Sequence, residues 1–105
     1  MIDWGRVAEL REDVGAEVFG EVKEIFLEEA EQVLARLEDG ASGSWEEDFH
    51  CLKSAALNMG FAEVARLCQD AEIRARSGEA GPADAAAVTA SFRASIAAFE
   101  QGRPA

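Results

Sequence analysis

The stretch from residue 16 to residue 38 reads AEVFGEVKEIFLEEAEQVLARLE and has the strongest hydrophobic periodicity in the chain. Its apolar residues recur in steps of three and four, which is the spacing of one face of an α-helix. We expect this face to point into a hydrophobic core, and it consists of Val18, Val22, Ile25, Phe26, Ala30, Val33 and Leu37. The stretch therefore predicts a long amphipathic helix whose regularly spaced glutamates form a solvated face.

Other segments with helical spacing lie on both sides of this stretch. The predicted helices cover residues 3–13, 16–38, 44–59, 61–76 and 82–101, with approximate ends. Ser44 begins the third helix as its N-cap, with Glu47 three residues later in the capping-box position. Gly60 is expected to end that helix in the left-handed conformation, and Pro82 suits the first turn of the last helix. Glycine-rich composition predicts loops at 39–43 and 77–81.

These segments predict an all-α fold. Four long helices with short links favour an antiparallel four-helix bundle, and the short N-terminal helix is expected to cover one end. A chain of 105 residues is long enough for one domain with one core, so we expect a single domain over residues 1–105. The content of 49% hydrophobic and 30% charged residues is typical of a globular protein.

Charge and hydropathy exclude several classes of partner. A net charge of −11 argues against nucleic acid and anionic membranes, which both require a basic surface. The sequence has no apolar run of about 18 residues and no leader pattern at its start, so we expect a cytoplasmic protein, most simply a monomer. Cys51 and Cys68 lie within predicted helices and indicate no disulfide framework, with Cys68 expected in the core.

The chain has a single histidine, His50, in the third predicted helix. At 100° per residue His50, Lys53, Ser54 and Leu57 share a face, which is rotated away from the apolar stripe. That stripe consists of Trp45, Phe49, Leu52, Ala56 and Met59. Imidazole is nucleophilic and largely neutral near pH 7, so His50 is the candidate for chemistry. A lone surface histidine often has no function, and this alternative stays open at this point.

The run HCLKSAALNMGF from His50 to Phe61 resembles the histidine-containing phosphotransfer (HPt) domains of multistep phosphorelays. Their pattern is His-x-Leu-Lys-Gly-Ser-Ser/Ala, with a glycine ten residues after the histidine. The positions that match in register are His50, Leu52, Lys53, Ala56 and Gly60, and Val64, Cys68 and Glu72 continue the likeness. The order and lengths of the predicted helices also match, so the resemblance covers nearly the whole chain.

The resemblance implies a role for each matching residue. His50 would accept a phosphoryl group from the aspartate of a response-regulator receiver domain, with Lys53 neutralising its charge and Glu72 orienting the ring. A sensor kinase would act upstream, no cofactor would be bound, and the Mg²⁺ would belong to the receiver. Leu57 and Phe61 are expected to form the docking face. Ser54 stands where the family usually has glycine, which we expect to tune the approach of the partner.

Two other functions remain open from the sequence. The first is the phosphoacceptor domain of a chemotaxis-type kinase, which uses the same chemistry and is loaded from ATP by a separate catalytic domain. The lack of such a domain in this sequence disfavours it. A helical interaction module without phosphoryl chemistry is the second alternative. Because no glycine-rich phosphate loop is present, we expect a phosphoryl carrier and not an autonomous kinase.

Overall fold

A computed structural model describes residues 2–40 and 43–101, and this part of the chain forms five α-helices. They are α1 (Trp4–Val14), α2 (Ala16–Glu38), α3 (Trp45–Met59), α4 (Ala62–Arg76) and α5 (Pro82–Glu100). The all-α prediction is confirmed. The predicted loop at 39–43 and both ends of the predicted domain fall partly on residues 1, 41–42 and 102–105, which lie outside the described residues. The extent of the single domain therefore stays a prediction.

Four of the helices close into a ring. Helix α2 packs against α3 and α5, and α4 packs against the same two helices, so each helix has two neighbours. The short α1 contacts α2 and α3. The resulting body measures 41 × 23 × 21 Å, the shape of an elongated four-helix bundle. Within the described residues, we find no helix with the length and apolar character that crossing a bilayer requires.

The core corrects the predicted inner face of α2. Val18 and Ile25, expected inside, are 44% and 54% exposed. Each precedes a phenylalanine, and one helical step rotates a side chain by about 100°. It is Phe19 that is buried, and Phe26 is half-buried against the core. In this half of α2, Val22 and Phe26 of the predicted face pack against the core, whereas Val18 and Ile25 face the solvent and Phe19 is buried instead.

The turn between α3 and α4 fixes how these two helices meet. Gly60 ends α3 with φ 75°, in the left-handed conformation that was predicted. A Cβ atom at Gly60 would lie 2.5 Å from the backbone oxygen of Asp3, so only glycine fits against the start of α1. The amide of Asp3 donates a hydrogen bond of 2.6 Å to the Gly60 carbonyl. This close approach holds α1 over the turn, from which α4 runs back beside α3.

Candidate active site

The only histidine of the chain lies where α3 faces α4. His50 is 60% exposed, and its Nδ1 atom is 3.1 Å from Oε2 of Glu72 on α4. A carboxylate only accepts hydrogen bonds, so Nδ1 must carry the proton in this contact. In the neutral ring the other nitrogen, Nε2, then keeps its lone pair. The sequence therefore produces a ring that is held at one nitrogen and nucleophilic at the other.

Glu72 is the buried centre of the site. Its side chain is 3% exposed and has three neighbouring donors. Nζ of Lys53 lies 2.8 Å from Oε1, whereas Nη2 of Arg76 and Nδ1 of His50 lie 2.8 and 3.1 Å from Oε2. The contact with Lys53 lowers the pKa of Glu72, burial opposes this effect, and His50 adds to it. The carboxylate is thus ionised at neutral pH and can hold a ring that becomes positively charged.

Lys53 directs its charge toward this carboxylate. Only 18% of its side chain is exposed, and its ammonium group also donates a hydrogen bond of 2.9 Å to Oε1 of Gln69. The sequence predicted Lys53 beside His50 and assigned it to a phosphoryl group. The structure brings Lys53 and His50 together through Glu72, with the ammonium compensating the buried negative charge. Its action on a phosphoryl group stays a prediction.

The predicted outer face of α3 continues beyond His50 at Ser54 and Leu57. Ser54 and Leu57 are both exposed, Leu57 to 55%. The backbone carbonyl of Ser54 accepts a hydrogen bond of 3.0 Å from Nδ2 of Asn58. The Ser54 side chain therefore stands one turn from the ring on an open surface, and Leu57 adds an exposed apolar group one turn further.

The prediction that Phe61 contributes a docking side chain is wrong. Its side chain is fully buried. The ring lies edge-on to Phe92 and Phe99 of α5, with centroids 5.5 and 5.8 Å away. The reason is the left-handed turn at Gly60, which reverses the chain and turns the next side chain into the bundle. Phe61 therefore anchors α4 in the core.

Sequence reasoning missed two charged residues at the site. Arg76 contacts Glu72 and also donates a hydrogen bond of 3.0 Å from Nε to Oε2 of Glu46. Glu46 lies four residues before His50, and Arg76 lies four residues after Glu72. These one-turn spacings could have marked both residues as neighbours of the site. The pairing between the two helices depends on their packing and has no sequence signal.

An open cleft of about 500 Å³ lies beside the ring. Its lining residues are Ser44, Glu46, Glu47, His50, Cys51 and Glu72. Within the described parts of the chain, no group of three histidine, cysteine or carboxylate side chains could hold a metal ion. Cys68 is buried behind the site, where burial raises the pKa of its thiol to about 12. The groups available for chemistry at the cleft are therefore the imidazole of His50, the exposed thiol of Cys51 and the charges around them.

The sequence from residue 21 to residue 102 matches the family described as the Hpt domain. The chain belongs to the Hpt domain family. The matched region contains α3 and α4 and hence the whole site around His50. HPt domains take part in histidine phosphotransfer in phosphorelays, and they interact with response-regulator receivers and with kinases. No curated protein and no solved structure matches this HPt chain.

Proposed function

We propose that this protein relays a phosphoryl group between His50 and the aspartate of a response-regulator receiver domain. One observation carries the proposal: the exposed ring of His50 has its Nδ1 atom on the buried carboxylate of Glu72. This contact selects the tautomer whose Nε2 lone pair can attack phosphorus. A surface histidine without a function would not require a buried, ionised carboxylate as its partner. Here that carboxylate is in addition held by two cations, Lys53 and Arg76.

The transfer reaction balances without moving a proton. Nε2 of His50 attacks the phosphorus of the aspartyl phosphate in line, and the bond from phosphorus to the aspartate oxygen breaks. The electron pair of that bond leaves with the aspartate, which becomes a free carboxylate. Nδ1 keeps its proton, so the imidazole ring gains a positive charge as the new bond forms. Glu72 lies where this charge develops and favours it electrostatically.

The receiver supplies the rest of the reaction centre. We propose that it brings its own Mg²⁺ together with the aspartyl phosphate and docks over the exposed face of α3. Leu57 follows His50 by seven residues, which places it about 20° around the helix, two turns further along. Its exposed side chain provides an apolar contact for the receiver. Ser54 lies between the two and limits how closely the receiver loops approach the ring.

Transfer of label from a receiver tests the proposal. A receiver domain is phosphorylated with radiolabelled acetyl phosphate, the protein is added, and the label is followed on a denaturing gel. We expect label on the wild-type protein that is acid-labile and base-stable, as a phosphohistidine is, and none on His50→Gln. Label that persists in His50→Gln would contradict the assignment of His50. Failure of every receiver in the source genome to label the wild type would favour the interaction module.

A further inference from the structure

Two cations contact Glu72, and they differ in how they face the solvent. The ammonium group of Lys53 is 2.8 Å from Glu72 and 2.9 Å from Gln69, and 18% of the side chain is exposed. The side chain of Arg76 is 54% exposed. If Lys53 left Glu72, a carboxylate that is 3% exposed would lose one of the two cations that lie 2.8 Å from it, which is costly. We therefore expect Lys53 to stay in contact with Glu72 and Gln69 when a phosphoryl group is bound.

Arg76 lies close to the ring and toward the solvent. Its Nη2 atom and Nδ1 of His50 both contact Oε2 of Glu72, so the two nitrogens cannot be more than about 6 Å apart. Its Nε atom contacts Glu46, which is 47% exposed and lies one turn before His50 on α3. The guanidinium group thus bridges α4 and α3 beside the open cleft that His50 lines.

We propose that Arg76 binds the phosphoryl group once it is on His50, and that it releases Glu46 to do so. This inference rests on the function proposed above. A guanidinium group can donate two parallel hydrogen bonds to phosphoryl oxygens, which a lysine ammonium cannot do with the same geometry. Lys53 keeps Glu72 ionised and in place, and Arg76 supplies the charge that meets the phosphoryl group.

The charges around the cleft give the exchange its driving force. Before transfer, Arg76 neutralises part of the negative charge of Glu46 and Glu72. After transfer, a phosphoryl dianion lies on the same face as Glu46 and Glu47, which line the cleft. A guanidinium group that stays on Glu46 would leave this repulsion uncompensated, whereas one that turns to the phosphoryl oxygens removes it. The side chain of Arg76 is 54% exposed, so it is free to rotate from Glu46 toward the phosphoryl group.

The test is the equilibrium constant of transfer between one phosphorylated receiver and three variants of this protein. Arg76→Gln removes the guanidinium group, and Glu46→Gln removes the carboxylate that competes for it. Arg66→Gln is the matched control, since Arg66 is an exposed arginine of α4 that pairs with Glu63 and Asp70 on the same helix. Circular dichroism and urea unfolding verify that each variant is folded. A second measurement follows the ¹⁵Nε resonance of Arg76 in the wild type as His50 becomes phosphorylated.

The two site variants should move the equilibrium in opposite directions. We expect Arg76→Gln to shift it toward the receiver by about fivefold, the effect of an exposed ion pair, and Glu46→Gln to shift it toward phosphohistidine. Arg66→Gln should match the wild type, and the Arg76 resonance should shift on phosphorylation. If Arg76 served only to hold Glu72 in place through its contact with Glu46, both variants would shift the equilibrium in the same direction. That result would overturn the inference. An unchanged equilibrium in both variants would also overturn it. A wild type that takes up no label refutes the proposed function itself, and this inference with it.

Discussion

Replacing Glu72 by glutamine perturbs the site with almost no change in shape. The amide keeps the size of the side chain but loses the negative charge between His50 and the two cations. It can also present its NH₂ group to Nδ1, which selects the other tautomer and protonates Nε2. The variant therefore removes both functions of Glu72, which are to select the tautomer of His50 and to stabilise its positively charged ring. We expect slower phosphotransfer with an intact fold.

The magnitude follows from the length of one hydrogen bond. A hydrogen bond to a charged group contributes about 1.5–3 kcal/mol, and short bonds of about 2.7–2.9 Å give the larger values. The contact between Nδ1 of His50 and Glu72 is 3.1 Å, and the ring is 60% exposed, so the lower value applies. About 1.5 kcal/mol on the transition state corresponds to a rate lower by about tenfold.

Rapid-quench measurement of transfer from a phosphorylated receiver gives the rate constant directly. Glu63→Gln is the control, because Glu63 is an exposed glutamate of the same helix that pairs with Arg66. The control should transfer at the wild-type rate, and both variants should unfold cooperatively in urea. A wild-type transfer rate in Glu72→Gln would show that the buried carboxylate neither selects the reactive tautomer of His50 nor stabilises the positive charge on its ring.

Three further predictions concern stability and reactivity. Because the folded-state pKa of Glu72 lies below its ordinary value of 4.5, its contribution to stability is present above pH 4.5 and is lost as the pH falls through the folded-state pKa. The difference in unfolding free energy between wild type and Glu72→Gln should therefore shrink on acidification, and a constant difference would contradict this. Gly60→Ala should lower the unfolding free energy by at least about 1–3 kcal/mol, because it combines a positive φ with a clash at the Asp3 carbonyl, and unchanged urea unfolding would disprove that. Iodoacetamide at pH 8 should alkylate exposed Cys51 and spare Cys68, whose thiol has a pKa of about 12, and a doubly modified native protein would count against the buried assignment.

The bundle could be predicted because its signals are local. The cap at Ser44, the left-handed turn at Gly60 and the proline that begins α5 each act through a few neighbouring atoms. The inward-facing side chains of α2 were harder to assign. At positions 18–19 and again at 25–26 of this helix, two consecutive residues are both apolar, and either could face the core. Val18 and Phe19 differ by one residue, and packing decides which of them is buried. Phe19 lies against α1, where the guanidinium carbon of Arg11 is 4.8 Å from the centre of its ring.

The sequence pointed to His50 and Glu72 as candidate site residues, but it did not point to the surrounding residues Arg76 and Glu46. The chain has one histidine, and its outward face follows from helical geometry, so His50 and its neighbours on α3 needed no tertiary information. Glu72 came from the resemblance to the family. Arg76 and Glu46 meet across two helices, and their 3.0 Å contact depends on the register in which α4 returns beside α3. Phe61 was misplaced because the left-handed turn at Gly60, although predicted, was not followed to the next side chain, which it turns into the core.

In the proposed reaction Nε2 of His50 accepts the phosphoryl group, while Nδ1 keeps its proton and donates it in a hydrogen bond to Glu72. Nuclear magnetic resonance tests it most directly, through the ³¹P–¹⁵N coupling in histidine-labelled protein that a receiver has phosphorylated. We predict a coupling to Nε2 alone, with the Nδ1 proton visible and its resonance altered in Glu72→Gln. A phosphoryl group on Nδ1, or on a residue other than His50, would contradict the account.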